Sequence, residues 1–100
     1  MDEYDQVFAA LASAPRREIL ARLGVAGLST TELAAALAMS APAVSRHLSV
    51  LEQAGLATSE RHGARVLYRL NRDHLLETLT GFAQTLSYVA EPVRKPRESI

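Results

Sequence analysis

Apolar residues in this chain recur at helical spacing over most of its length and alternate over one short stretch, so the period itself divides it into elements. Tyr4, Val7, Phe8 and Leu11 fall on one side of a helix over residues 3–11, and its other side is acidic. Ser13 is placed as the N-cap of a second helix, with Pro15 tolerated in the first turn, Ile19, Leu20 and Leu23 as the buried stripe, and Gly24 as the stop. Residues 25–28 read as a loop. Ser29-Thr30-Thr31-Glu32 has the spacing of a capping box, so a third helix starts near Thr30 and buries Leu33, Ala34 and Leu37. It must stop before Ser40, whose hydroxyl can cap a fourth helix carrying Pro42 in its first turn. That helix, 41–54, buries Val44, Leu48 and Leu51, and Gly55 supplies the left-handed residue that lets Leu56 fold back on Leu51.

After Gly55 the period changes. Leu56 to Arg61 and Arg65 to Leu70 are short runs around His62-Gly63-Ala64, with Val66, Tyr68 and Leu70 alternating against Leu67 and Arg69; this predicts a β-hairpin with a basic tip. Asn71 caps a last helix in which Leu75, Leu79, Phe82, Leu86 and Val89 step by 4, 3, 4 and 3, the spacing of a seam between packed helices. Gly81 weakens that helix without ending it. The expected fold is mainly α with a small β-hairpin (α+β), in the order α1-α2-α3-α4-β1-β2-α5. A helix-turn-helix followed at once by a two-stranded ribbon is a winged helix. Residues 1–90 are expected to form one domain, and 91–100, with Pro92 and Pro96 among basic residues, a flexible tail.

Composition then acts mainly by exclusion. The absence of cysteine removes disulfides, zinc–thiolate sites, thiolate nucleophiles and thiol redox sensing together. No apolar run approaches the roughly 20 residues of a membrane span, and the acidic start Met1-Asp2-Glu3-Tyr4-Asp5 lacks the features of a secretory signal. A cytoplasmic location with no membrane partner is therefore expected. The formal net charge is zero, but it is segregated. From Ser40 to Arg72, Arg46, Arg61, Arg65, Arg69 and Arg72 stand against Glu52 and Glu60, and five minus two leaves a local excess of three positive charges.

This segregation points to DNA. The core stripe of the fourth helix leaves Ala41, Pro42, Ser45, Arg46 and Ser49 outward: small residues for close approach, hydroxyls for base edges, and an arginine able to fork onto guanine or clamp a phosphate. Ser40 stands at the entry to that face. Thr30 and Thr31 lie where hydroxyls and free amides favour a phosphate, and Arg61, His62 and Arg65 gather at the hairpin tip. A lone arginine would read as a solvated helix face, and agreement among three elements favours DNA contact instead. The competing class is a winged helix turned to protein contacts without specific DNA binding. No sequence context marks an activated serine, and there is no glycine-rich phosphate loop, so neither an enzyme nor a cofactor is expected. The stripe at 75, 79, 82, 86 and 89 extends beyond what so small a domain easily covers, which predicts a homodimer.

The segments LASAPRREILARL and LSTTELAAALAMSAPAVSRHLSVLEQAGLATSERHGARVLYRL, with the closing helix, resemble the ArsR/SmtB family of bacterial transcriptional repressors over nearly all of residues 4 to 90. The match is most specific from Ala43 to Leu48 and from Leu51 to Leu56. The resemblance implies a homodimer packed through the first and last helices, which brings Tyr4, Val7, Phe8 and Leu11 into the interface. It also implies repression by occupying a near-palindromic operator, with Ala41, Pro42, Ser45 and Arg46 in the major groove. One departure concerns metals. Many members of the family carry a Cys-x-Cys pair near the start of the third helix, where this chain has Ser29-Thr30-Thr31. A second family site, on the last helix, would need partners for Asp73 and His74, which diverge by about 100° on a helix, and no imidazole follows near Thr85 and Tyr88. No metal is expected, and His47 reads as a packing residue. A small-molecule or protein effector is left open as a further partner.

Overall fold

Local chemistry sets the ends of the first four helices. In the computed structural model, which describes the backbone of residues 2–89 and side chains as far as residue 86, Asp2 Oδ1 accepts the Asp5 amide at 2.8 Å and opens α1 (Glu3–Leu11). The expected tail and the side chain of Val89 lie outside the described residues. Ser13 caps α2 (Ala14–Leu23) through the Arg16 amide. α3 (Thr30–Leu37) opens on the full capping box: Ser29 Oγ accepts the Glu32 amide at 3.2 Å and Glu32 Oε1 accepts the Ser29 amide at 2.8 Å. Ser40 Oγ accepts the Ala43 amide at 3.2 Å to start α4 (Ala41–Gln53).

α4 closes in a Schellman turn, with the Leu56 amide donating to Leu51 O and the Gly55 amide to Glu52 O, both at 2.9 Å. Glycine is required twice over at position 55. Its φ is +78°, and a Cβ there would lie 2.9 Å from the His74 ring. Gly24 ends α2 as expected, at φ −69° and so without a left-handed turn. The left-handed residue of the helix-turn-helix is instead Ala38, at φ 55°, in a conformation that L-residues other than glycine seldom adopt.

β1 (Ala57–His62) and β2 (Arg65–Leu70) pair antiparallel, in register from Ala57 opposite Leu70 to His62 opposite Arg65. The turn is thus Gly63-Ala64 alone, one residue shorter than expected, with Gly63 at φ +65° as a two-residue hairpin connection wants at its first position. The segment before α3 is more than a loop. Leu28 exchanges both backbone hydrogen bonds with Tyr68, at 3.0 and 2.8 Å, and so ties the entry to α3 onto the wing.

Val7, Ile19, Leu33, Val44, Leu48, Leu51 and Leu56 form the centre of one core to which α1, α2, α3 and α4 all contribute. α5 (Arg72–Val89) is covered on one side only. Asn71 Oδ1 accepts the His74 amide at 3.3 Å at its start, and Leu75 packs on the core, but Leu76, Leu79, Phe82 and Leu86 remain 53%, 39%, 39% and 58% exposed. Along α1, Tyr4 and Phe8 meet Phe82 edge-on at centroid distances of 6.0 and 5.2 Å. Gly81 makes this approach feasible, because a Cβ there would lie 2.9 Å from the Tyr4 hydroxyl. One interface expectation changes: Val7 is wholly buried inside the protomer and cannot contribute to a seam. Leu11 is half-buried beside the same core. Leu76, which the 4-3-4-3 spacing passes over, stands on the open face.

Candidate nucleic-acid interface

The outward face of α4 follows from what its inward face buries. With Val44, Leu48 and Leu51 in the core, Ala41, Pro42, Ser45, Arg46 and Ser49 are all exposed. Arg46, Ser45 and Ser49 make no side-chain hydrogen bond or ion pair with another described residue, so their donors and acceptors stay available. Ser40 is exposed too, but its hydroxyl is committed to the cap. Half-buried on the same helix, His47 lies with Nδ1 3.4 Å from Arg16 Nη1. A guanidinium can only donate, so Nδ1 accepts and the ring proton sits on Nε2. Burial, then the charges of Arg16 and Arg46, hold the His47 pKa below the ordinary histidine value and favour the neutral ring. Arg16 also donates to Ala10 O at 2.8 Å and Ala9 O at 3.0 Å, so one side chain ties the end of α1 to α4. Nothing local in the sequence marks Arg16, whose partners lie 6, 7 and 31 residues away.

Thr30, Thr31 and Arg65 come together in one cleft of about 450 Å³ between the start of α3 and the wing. Glu32 lines it as well. Its Oε1 accepts both the Ser29 amide and Arg65 Nη2, each at 2.8 Å, and this second partner, 33 residues away, has no local signal in the sequence. The Ser29 hydrogen bond first, and then the Arg65 charge, outweigh desolvation and hold the Glu32 carboxyl below its usual pKa. The amides of Thr30 and Thr31, first in the helix, have no acceptor among the described residues.

Elsewhere on the wing the cations are also partnered. His62 Nε2 is 3.1 Å and Arg69 Nε 4.0 Å from Glu60 Oε1, and Arg61 Nη1 reaches Gly63 O at 3.4 Å. The excess of three positive charges counted along the chain therefore overstates the free charge of the hairpin, because Glu32 lies outside the counted segment. These pairs are exposed and individually weak, so a phosphate can exchange into them.

A second concavity of about 450 Å³ lies between α2, the end of β2 and the start of α5, with Arg17 and Arg72 at its edges. Arg17 donates to Leu11 O at 2.7 Å and Arg72 to Gly24 O at 3.1 Å, which accounts for both as caps of helix C-termini. His74 stands 3.8 Å from Glu3, and no group of three or more His, Asp or Glu that could hold a metal forms among the described residues. No described helix is long and apolar enough to cross a membrane.

A helix-turn-helix domain family matches residues 11–60, half of the chain. The HTH-type transcriptional repressor SmtB of Mycobacterium tuberculosis is 40% identical over 75 residues, covering 75% of this chain and 56% of the relative. This chain thus spans little more than half the length of the first curated relatives it matches, 54% in one and 56% in another. An ArsR-like transcriptional regulator from Rhodococcus sp. RHA1 superposes with a TM-score of 0.81 at 34% identity, over 87% of this chain and 80% of that one. The homodimeric winged helix-turn-helix DNA-binding domain Mb0332 from Mycobacterium bovis superposes at 0.72 over 94% and 88%; at 24% identity it speaks to the fold alone.

Proposed function

This chain belongs to the ArsR/SmtB family of winged helix-turn-helix transcriptional regulators, and we propose that it is a cytoplasmic, homodimeric repressor that reads near-palindromic double-stranded DNA with α4 and grips the backbone with the wing and the start of α3. One observation carries this reading: Ser45, Arg46 and Ser49 are exposed and uncommitted on a helix whose other side is pinned by three buried residues. A rigid helix with free donors loses little on entering a major groove, where an arginine can take guanine O6 and N7 together.

The dimer is supported by the open face of α5. Leu76, Leu79, Phe82 and Leu86 make an apolar strip that a second copy would cover by two-fold symmetry. Two α4 helices so related match half-sites about 34 Å apart, and linkage multiplies their modest separate affinities. Repression then follows from occupying the operator. The test combines mass in solution with binding to a duplex selected by the protein from a random pool. A dimer that prefers the selected duplex to a random one by a factor of order 10³ or more, with affinity falling as salt rises, is expected. A monomer with equal affinity for both would defeat the reading and favour a winged helix that contacts protein.

A further inference from the structure

The cleft between α3 and the wing holds the parts of an anion site: the unpaired amides of Thr30 and Thr31, their hydroxyls, and the Arg65 guanidinium. A carboxylate of the chain already occupies it. Glu32 Oε1 lies 2.8 Å from both the Ser29 amide and Arg65 Nη2. Resting on the DNA-binding reading above, we propose that Glu32 is an internal stand-in for a DNA phosphate, which holds Arg65 back and lowers affinity for duplexes of any sequence.

The pair is suited to exchange. Its side chains are 57% and 46% exposed, so solvent screens it and a phosphate can compete for the guanidinium. Exchange leaves the fold intact, because Glu32 can keep its bond to the Ser29 amide when Arg65 departs. It is not free, because a phosphate on Arg65 lies beside the negative carboxylate. Binding to random sequence consists almost wholly of phosphate contacts, so a negative charge at one of them weakens it directly.

Glu32→Gln tests this cleanly, since glutamine at the third helical position still serves the capping box. The probe is a random-sequence duplex of about 30 base pairs, long enough for two half-sites one turn apart. Compared with the native dimer, Glu32→Gln is expected to bind it about three- to tenfold more tightly. The slope of log affinity against log salt should steepen by about 0.9 per protomer. Arg65→Ala should then cost more in the Glu32→Gln background than in the native one. Unchanged or weaker binding by Glu32→Gln with an unaltered slope would overturn the proposal and make the pair a strut that positions the wing. Failure of the native protein to bind either the selected or the random duplex would instead sink the DNA-binding reading.

Discussion

Arg46 on α4 and Arg65 on the wing would both meet DNA in the proposed complex, yet their surroundings are opposite. Arg46 has no partner among the described residues, whereas Arg65 faces Glu32 at 2.8 Å and its neighbours on the hairpin share Glu60. The same contrast runs beneath the surface. α4 rests on Val44, Leu48 and Leu51, all essentially inaccessible, while every residue of β1 after Ala57 is exposed. The proposed reading element is anchored in the core and electrostatically open; the proposed gripping element is exposed and carries its own counterions. Charge on the wing is thus partly offset where it stands, by Glu60 on the hairpin and Glu32 at the start of α3.

The largest expected effect tests the rigid half. Leu51→Ala should cost about 2–5 kcal/mol of stability, because it opens a cavity under α4, while Val66→Ala on the half-buried wing costs about 1 kcal/mol or less. Urea unfolding at a fixed protein concentration measures both, and similar losses would erase the contrast. Next, Gly55→Ala forces alanine into a positive φ against the His74 ring at the end of α4, at a cost of about 1–3 kcal/mol in thermal unfolding.

Titration is smaller and separates the two regions. His47 has a folded pKa below its unfolded value of 6.5, so the folded state resists protonation. Its contribution to stability is complete above pH 6.5 and is lost as pH falls through the folded value. Glu32, also depressed, contributes fully above 4.5 and loses that contribution only as pH falls below it. Unfolding midpoints followed from pH 7.5 downwards should therefore show an upper step abolished by His47→Gln and a lower one reduced by Glu32→Gln. A single acid transition insensitive to both variants would contradict the assignment.

What was legible in the sequence was local. Ser29 with Glu32, Ser40 with Pro42, and Gly55 with Leu56 each declare a helix end within a few residues, and the outward face of α4 follows from its core stripe by geometry. What was not legible depended on distant partners. Leu28 bridges to Tyr68 across the fold, Arg16 reaches His47, and Glu32 finds Arg65, and none of these pairings leaves a mark on its neighbours in the chain. Val7 shows the same limit. Tyr4, Val7, Phe8 and Leu11 spread over an arc wide enough to face two ways, and only packing assigns Val7 to the core while Tyr4 and Phe8 meet α5. Ala38 adopts a left-handed turn with no glycine to announce it.

The central claim, that α4 reads sequence while the wing only grips, is tested most directly by the affinity ratio of the selected duplex to a random one. That ratio is to be measured for the native dimer, Arg46→Ala and Arg65→Ala at one salt concentration. Arg46→Ala should lose about 1–3 kcal/mol on the selected duplex and little on the random one, so the ratio falls about 5- to 150-fold. Arg65→Ala should weaken both mildly and leave the ratio standing. A ratio that survives Arg46→Ala, or one that falls with Arg65→Ala instead, would show that sequence is read elsewhere.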